Sequence, residues 1–134
     1  MSHIVRGQVK LAYTDEEVLR KALATIGVVL ENQRATIATG VGYKQNGENY
    51  PIVLEATANK DFRIGFKREA NGAFVPYYDN FGELGKWCAQ ANAALTDRYI
   101  AYHYEKQLIS EGYNVELQTQ SDGSIEVLAS EVAW

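Results

Sequence analysis

Cysteine, histidine and proline are scarce in this chain of 134 residues, which holds one, two and two of them respectively. A lone cysteine, Cys88, has no internal disulfide partner, and His3 and His103 lie too far apart in sequence for any zinc-type spacing. Cys88 stands among Trp87, Ala89, Ala91 and Leu95 on a helical pattern, so it reads as a small buried hydrophobe in a reducing compartment. Basic runs are missing as well. Nothing longer than Lys67-Arg68 occurs, and 13 Lys and Arg against 17 Asp and Glu leave a net charge of −4. A nucleic-acid domain carries a basic stripe, so nucleic acid is not an expected partner. No apolar stretch approaches membrane-spanning length, and residues 1–6 lack a basic segment leading into an apolar one. The expectation is a soluble, cytoplasmic chain with no membrane partner.

Catalytic groupings are absent from the linear pattern. Gly40-Val41-Gly42 lacks the third spaced glycine and the Lys-Ser/Thr ending of a phosphate loop, and reads as a bulged or flexible strand end. No Ser/His/Asp or Cys/His set can be placed by element order. The cluster Asp15-Glu16-Glu17 is explained by helix capping. No catalytic residue, cofactor or metal ligand is therefore expected. An enzyme with an unfamiliar site around His3 or His103 stays as an alternative.

What is present is strong periodicity. His3, Val5, Gly7, Val9, Leu11 and Tyr13 share one parity, with Arg6, Gln8 and Lys10 on the other, which predicts a half-buried strand. Thr14 with Glu17 predicts a capping box, and Val18, Leu19, Ala22, Leu23 and Ile26 recur at helical spacing up to a capping Gly27. Strands follow: 28–30 and 35–39, then, after an Asn46-Gly47 turn, Tyr50, Ile52, Leu54 and Ala56. After an Asn59-Lys60-Asp61 turn come Phe62, Ile64 and Phe66, and after Asn71-Gly72 the segment 74–78. A second helix is expected over 83–111, where Leu84, Trp87, Cys88, Ala91, Leu95, Tyr99, Tyr102 and Ile109 approximate one face and Gly112 stops it. Its length of about 43 Å is large for such a domain and predicts a break or an overhanging end. Val115, Leu117 and Thr119, then Ile125, Val127 and Ala129, flank 121–124 as a final hairpin expected to join the same sheet system. The whole, residues 1–134, is predicted to be a single α+β domain: a largely antiparallel sheet with two helices, in the order β-α-β-β-β-β-α-β-β.

Aromatic usage points to contact surfaces. Nine of the chain's aromatic residues are tyrosines, grouped at Tyr77-Tyr78 and at Tyr99, Tyr102 and Tyr104. Tyrosine joins a large apolar ring to a polar tip, which suits half-buried surfaces. On the second helix, Tyr99 and Tyr102 share one face, and Ile100, Tyr104 and Leu108 share another, well apart around the axis. One sheet would struggle to cover both. Ile100, Tyr104 and Leu108, with Tyr77 and Tyr78, are thus the candidate protein-contact residues.

The residues also carry a family likeness. Met1-Ser2-His3, Leu19 with Ala22-Leu23, Ile64-Gly65-Phe66, Asn71-Gly72, Tyr99 with Ala101-Tyr102, Glu111-Gly112-Tyr113 and Asp122-Gly123-Ser124-Ile125 occur in the order found in one group. The chain resembles, over nearly its whole length, the hypothetical chloroplast reading frame thirty-five family. That family is a domain of unknown function from cyanobacteria, plastids and some other bacteria. It departs at Ile4, where the family usually has Phe, and at Tyr77, Tyr78 and Phe81, where more tryptophan is expected. Those departures imply a distant member, from a virus such as a phage or from a non-photosynthetic host. The resemblance transfers no catalytic residue, and implies an accessory role beside an AAA-type ATPase. The functional expectation is a non-catalytic interaction or adaptor module binding another protein or a second copy of itself. The alternative is a structural accessory of a larger assembly such as a virus particle.

Overall fold

The protein is described as a computed structural model covering residues 4–7, 12–122 and 124–131. Its first helix, α1 (Glu16–Ala24), turns Val18, Leu19, Ala22 and Leu23 inward at helical spacing. Its cap lies one residue later than the capping box suggested. The N-cap is Asp15, not Thr14: its backbone is extended, and its carboxylate accepts from Val18 N at 3.1 Å. Glu16 and Glu17 in the first turn complement the positive helix end. At the other terminus Thr25 is the C-cap, and Gly27 lies beyond it against the Glu55 carbonyl.

Five strands form one antiparallel sheet: β1 (Ile4–Arg6), β5 (Phe74–Asp79), β4 (Arg63–Arg68), β3 (Gly42–Glu55) and β2 (Val28–Thr39), in that spatial order. β1 pairs with β5 through Ile4↔Asp79 to Arg6↔Tyr77, and Tyr13 returns to bridge Phe74. His3, Val9 and Leu11 of the expected first strand lie outside the described residues. The α+β class, the antiparallel sheet and the element order agree with the sequence reading.

Two turns differ from expectation. Segments 28–30 and 35–39 belong to one strand, β2, and Asn46-Gly47 lies inside β3 rather than at its start. The hairpin reverses at Gly40-Val41, with Thr39 opposite Gly42. Pairing then runs without interruption to Ala35↔Asn46 and resumes at Arg34↔Asn49, so β3 carries two extra residues, Gly47 and Glu48. Gly47 has φ 82°, a conformation that suits glycine, and this explains a turn-like dipeptide within a strand. Beyond the bulge the ribbon contacts parts of the fold distant in sequence. Ala38 N donates to the buried Asp79 carboxylate at 2.8 Å, and the Tyr43 ring meets Phe62 at 5.0 Å.

The second helix, α2 (Gly82–Ser110), runs unbroken for 29 residues and ends at Glu111. Leu84, Cys88, Ala91, Leu95 and Tyr99 recur every three or four residues and are buried. They pack with α1 against Ile52, Leu54, Ile64, Phe66 and Phe74 of the sheet, with Tyr13 edge-on to Tyr99 at 4.8 Å. Trp87 and Tyr102 flank this core as expected, but Ile109 is 56% exposed because its angular position has left the stripe. The opposite sheet face holds a smaller cluster of Ala35, Tyr50 and Val53 with Ile4, Leu30 and Tyr77.

The C-terminal hairpin corrects one expectation. β6 (Tyr113–Thr119) and β7 (Ile125–Glu131) pair only with each other among the described residues and form a separate sheet. Both strands pack on α2. The helix has apolar positions on two sides, so the half-apolar hairpin finds cover there instead of at an edge of the main sheet.

Candidate functional site

The second side of α2 builds the site. Asp97, Ala101, Tyr104 and Leu108 follow one another at intervals of four, three and four, which places them on one stripe. Ala101 lies about 160° around the axis from Tyr99, at 100° per residue, and so faces away from the main core. Ala101 and Leu108 are buried, whereas Ile100 and Tyr104 remain 51% and 50% exposed. The hairpin contributes Ile125 and Val127, which alternate with Glu126 and are half-buried. Asp97, Ile100, Ala101 and Tyr104 of α2, with Ser124, Ile125 and Val127 at β7, enclose an open groove of about 260 Å³. No residue of β6 lines it.

The five sequence-selected contact residues separate into three places. Ile100 and Tyr104 line the groove together. Leu108 shares their helix side but is only 8% exposed, so it serves the fold and is not free for a partner. Helical periodicity identifies two stripes without showing that the chain's own hairpin lies over one of them.

Tyr77 and Tyr78 lie elsewhere, on opposite faces of β5. Tyr77 belongs to the smaller cluster, stacked on Tyr50 at 5.5 Å, with Lys67 Nζ 4.8 Å from its ring centre. Its hydroxyl donates to the Glu69 carboxylate, which also pairs with Arg6 at 2.9 Å. Burial, then the bond to Glu69, raises the Tyr77 phenol above its ordinary pKa, so it stays neutral. Tyr78 packs against the main core, and burial raises its phenol too. Both have structural partners.

Other chemistry-bearing residues are similarly engaged. His103 is exposed and stacked on Tyr99 at 5.6 Å. Cys88 is fully buried, and desolvation pushes its thiol up to about 12, with Asp79 adding to the effect. Lys106 pairs with Asp15 at 2.7 Å, tying the start of α1 to α2. Among the described residues, no three His, Cys, Asp or Glu side chains gather as a metal-ion set. No described helix is long and apolar enough to cross a membrane.

Asp97, Ala101, Ser124, Ile125 and Val127 were not candidates from sequence. The alternation of Ile125 and Val127 marks a hairpin face, but nothing in the linear pattern says that this face meets the helix. The chain matches no protein-family model, no curated protein and no solved structure.

Proposed function

We propose that the chain is a non-catalytic protein-interaction module that receives its partner in the groove between α2 and β7. One observation carries this reading: the second apolar stripe of α2 is incompletely covered, with Ile100 and Tyr104 half exposed beside an apolar-walled groove. Exposed apolar side chains gathered in a concavity are the kind of surface that gains free energy from a partner. A tyrosine at its rim adds a rigid ring and a polar tip, both useful at a protein contact. The resemblance to the chloroplast reading frame family fits a module without its own chemistry, and adds an AAA-type ATPase to the partners worth testing.

The test is affinity capture from host extract, comparing the parent with an Ile100→Ser/Tyr104→Ser double variant. Both positions are half exposed, so the variant should keep its circular dichroism and melting profile. A partner held by the parent and lost by the folded variant is the expected result. Equal capture by both proteins would place the contact surface elsewhere.

A further inference from the structure

The groove is bounded on one side by a strand edge. β7 pairs with β6 along one edge, and its other edge has no strand beside it among the described residues. Such an edge presents unpaired backbone N–H and C=O groups. A two-stranded hairpin is marginal by itself, and a third strand would extend its pairing. Strands lie about 4.8 Å apart, so a segment added there would run beside Ile125 and Val127. The groove's position beside β7 would let alternate side chains of that segment meet Ile100 and Tyr104.

The charge of this region selects among occupants. From Gln107 to the end of the chain there are five carboxylates, Glu111, Glu116, Asp122, Glu126 and Glu131, and no Lys or Arg. None of the five makes an ion pair among the described residues. Asp97, at the groove itself, makes none either. A two-fold dimer built on this face would set the same anionic patch against itself, which disfavours a second copy. A cationic partner is attracted to it and steered toward it.

Resting on the reading of the groove as a contact site, we propose that its occupant is an extended protein segment in which apolar residues alternate with Lys or Arg. The segment joins the edge of β7 opposite β6, which has no strand beside it among the described residues. Its apolar side chains enter the groove over Ile100 and Tyr104, and its cations face the carboxylates around the hairpin. Backbone pairing supplies affinity, and the alternating pattern supplies selectivity.

Two fluorescent peptides of about eight residues, a common strand length, test this on the full chain. One alternates Val with Lys, and the other alternates Val with Glu. Fluorescence anisotropy should detect the lysine peptide alone, with binding that weakens as salt rises. Glu116→Lys/Glu126→Lys, at two exposed positions on the outward face of the hairpin, should weaken binding about tenfold, and Ile100→Ser/Tyr104→Ser by at least about as much. Hydrogen exchange should slow along β7 when the peptide is bound. Equal binding of the glutamate peptide would overturn the cationic assignment while leaving the groove as a contact site. Binding that ignores Ile100→Ser/Tyr104→Ser would show surface adsorption and overturn the inference. A dimer in sedimentation that the same double variant splits would make a second copy the occupant and overturn it too. Binding of neither peptide would reject the strand-addition proposal, and the host-extract capture would then judge the groove separately.

Discussion

A side chain at Gly65 would have to share space with the Tyr50 ring, because its Cβ would lie 2.3 Å from two of the ring carbons. Tyr50 uses that gap to stack on Tyr77 and close the smaller apolar cluster. Gly65→Ala should therefore destabilise the protein by about 1–3 kcal/mol, the usual range for overpacking. The penalty should shrink when Tyr50→Ala is also present, because the collision partner is gone. Urea midpoints of the two single variants and the double variant measure this, and full additivity would contradict it. Cys88 supplies a second test at this scale. Burial holds its folded thiol near 12, above the unfolded thiol, so the folded state keeps its proton longer. Stability from this group is complete below the unfolded value, about 8.5, and is lost as pH rises toward 12. The loss is roughly 5 kcal/mol at most by linkage. Cys88→Ala should show a shallower alkaline decline than the parent, since the raised tyrosines are common to both proteins. Matching slopes would mean that the thiol is not held neutral by the fold.

At the scale of elements, Asp15 joins two helices. Its carboxylate caps α1 through Val18 N and pairs with Lys106 of α2, and its backbone N–H donates to the Tyr99 hydroxyl at 3.1 Å. The bond to Lys106, followed by the amide of Val18, outweighs partial burial and holds the carboxyl below the usual carboxylate range. A depressed folded pKa contributes stability that is present above the unfolded value, about 3.9 for aspartate, and lost as pH falls through the folded value. Asp15→Ala should cost about 1 kcal/mol through loss of the cap. Asp15→Asn keeps an oxygen for the cap but loses the ion pair. Its deficit against the parent should be visible near neutral pH and fade as pH falls through the depressed folded value of Asp15, where both side chains become uncharged. Thermal melts across the acid limb decide this, and a deficit that persists unchanged at low pH would refute the ion-pair account. Much at this scale was legible beforehand. The periodicity of Val18 to Leu23, the stripe from Leu84 to Tyr99 and the 121–124 turn each depend on neighbours close in sequence. Asn46-Gly47 misleads because turn chemistry and bulge chemistry both use a glycine at positive φ. Only pairing with β2, a non-local fact, separates them. Thr14 misleads because two adjacent residues can each cap, and it is the Asp15 carboxylate that accepts from Val18 N.

For the whole molecule, the main open feature is the hairpin's dependence on α2. A sequence reading that expects one cooperative sheet treats β6 and β7 as part of the main core, but the structure stacks them on the far side of the helix. Their inward residues Val115, Leu117, Ile125 and Val127 are all only half-buried, whereas Ile52, Leu54 and Ile64 are completely buried. Burial of apolar area sets local stability, so the hairpin should open at lower free energy than the five-stranded sheet. Leu108 is the main side chain of α2 buried on that side, since Ala101 offers only a methyl group. Leu108→Ala removes buried methyl groups from that docking surface, a change that typically costs about 2–5 kcal/mol in a core and less where the site can collapse. Native-state hydrogen exchange of the parent should show weaker protection along β6 and β7 than at Ile52, Leu54 or Leu95. In Leu108→Ala the hairpin amides should lose at least about tenfold more protection, the equivalent of 1.4 kcal/mol, while the sheet amides change little. The opposite pattern, equal protection in the parent and an equal fall everywhere in the variant, would mean that hairpin and sheet unfold as one unit. A separately opening hairpin would also place the groove on the part of the molecule that moves most easily. A strand added to β7 would then bind and stabilise the hairpin in one step, and its effect should appear first in the exchange rates of those same amides.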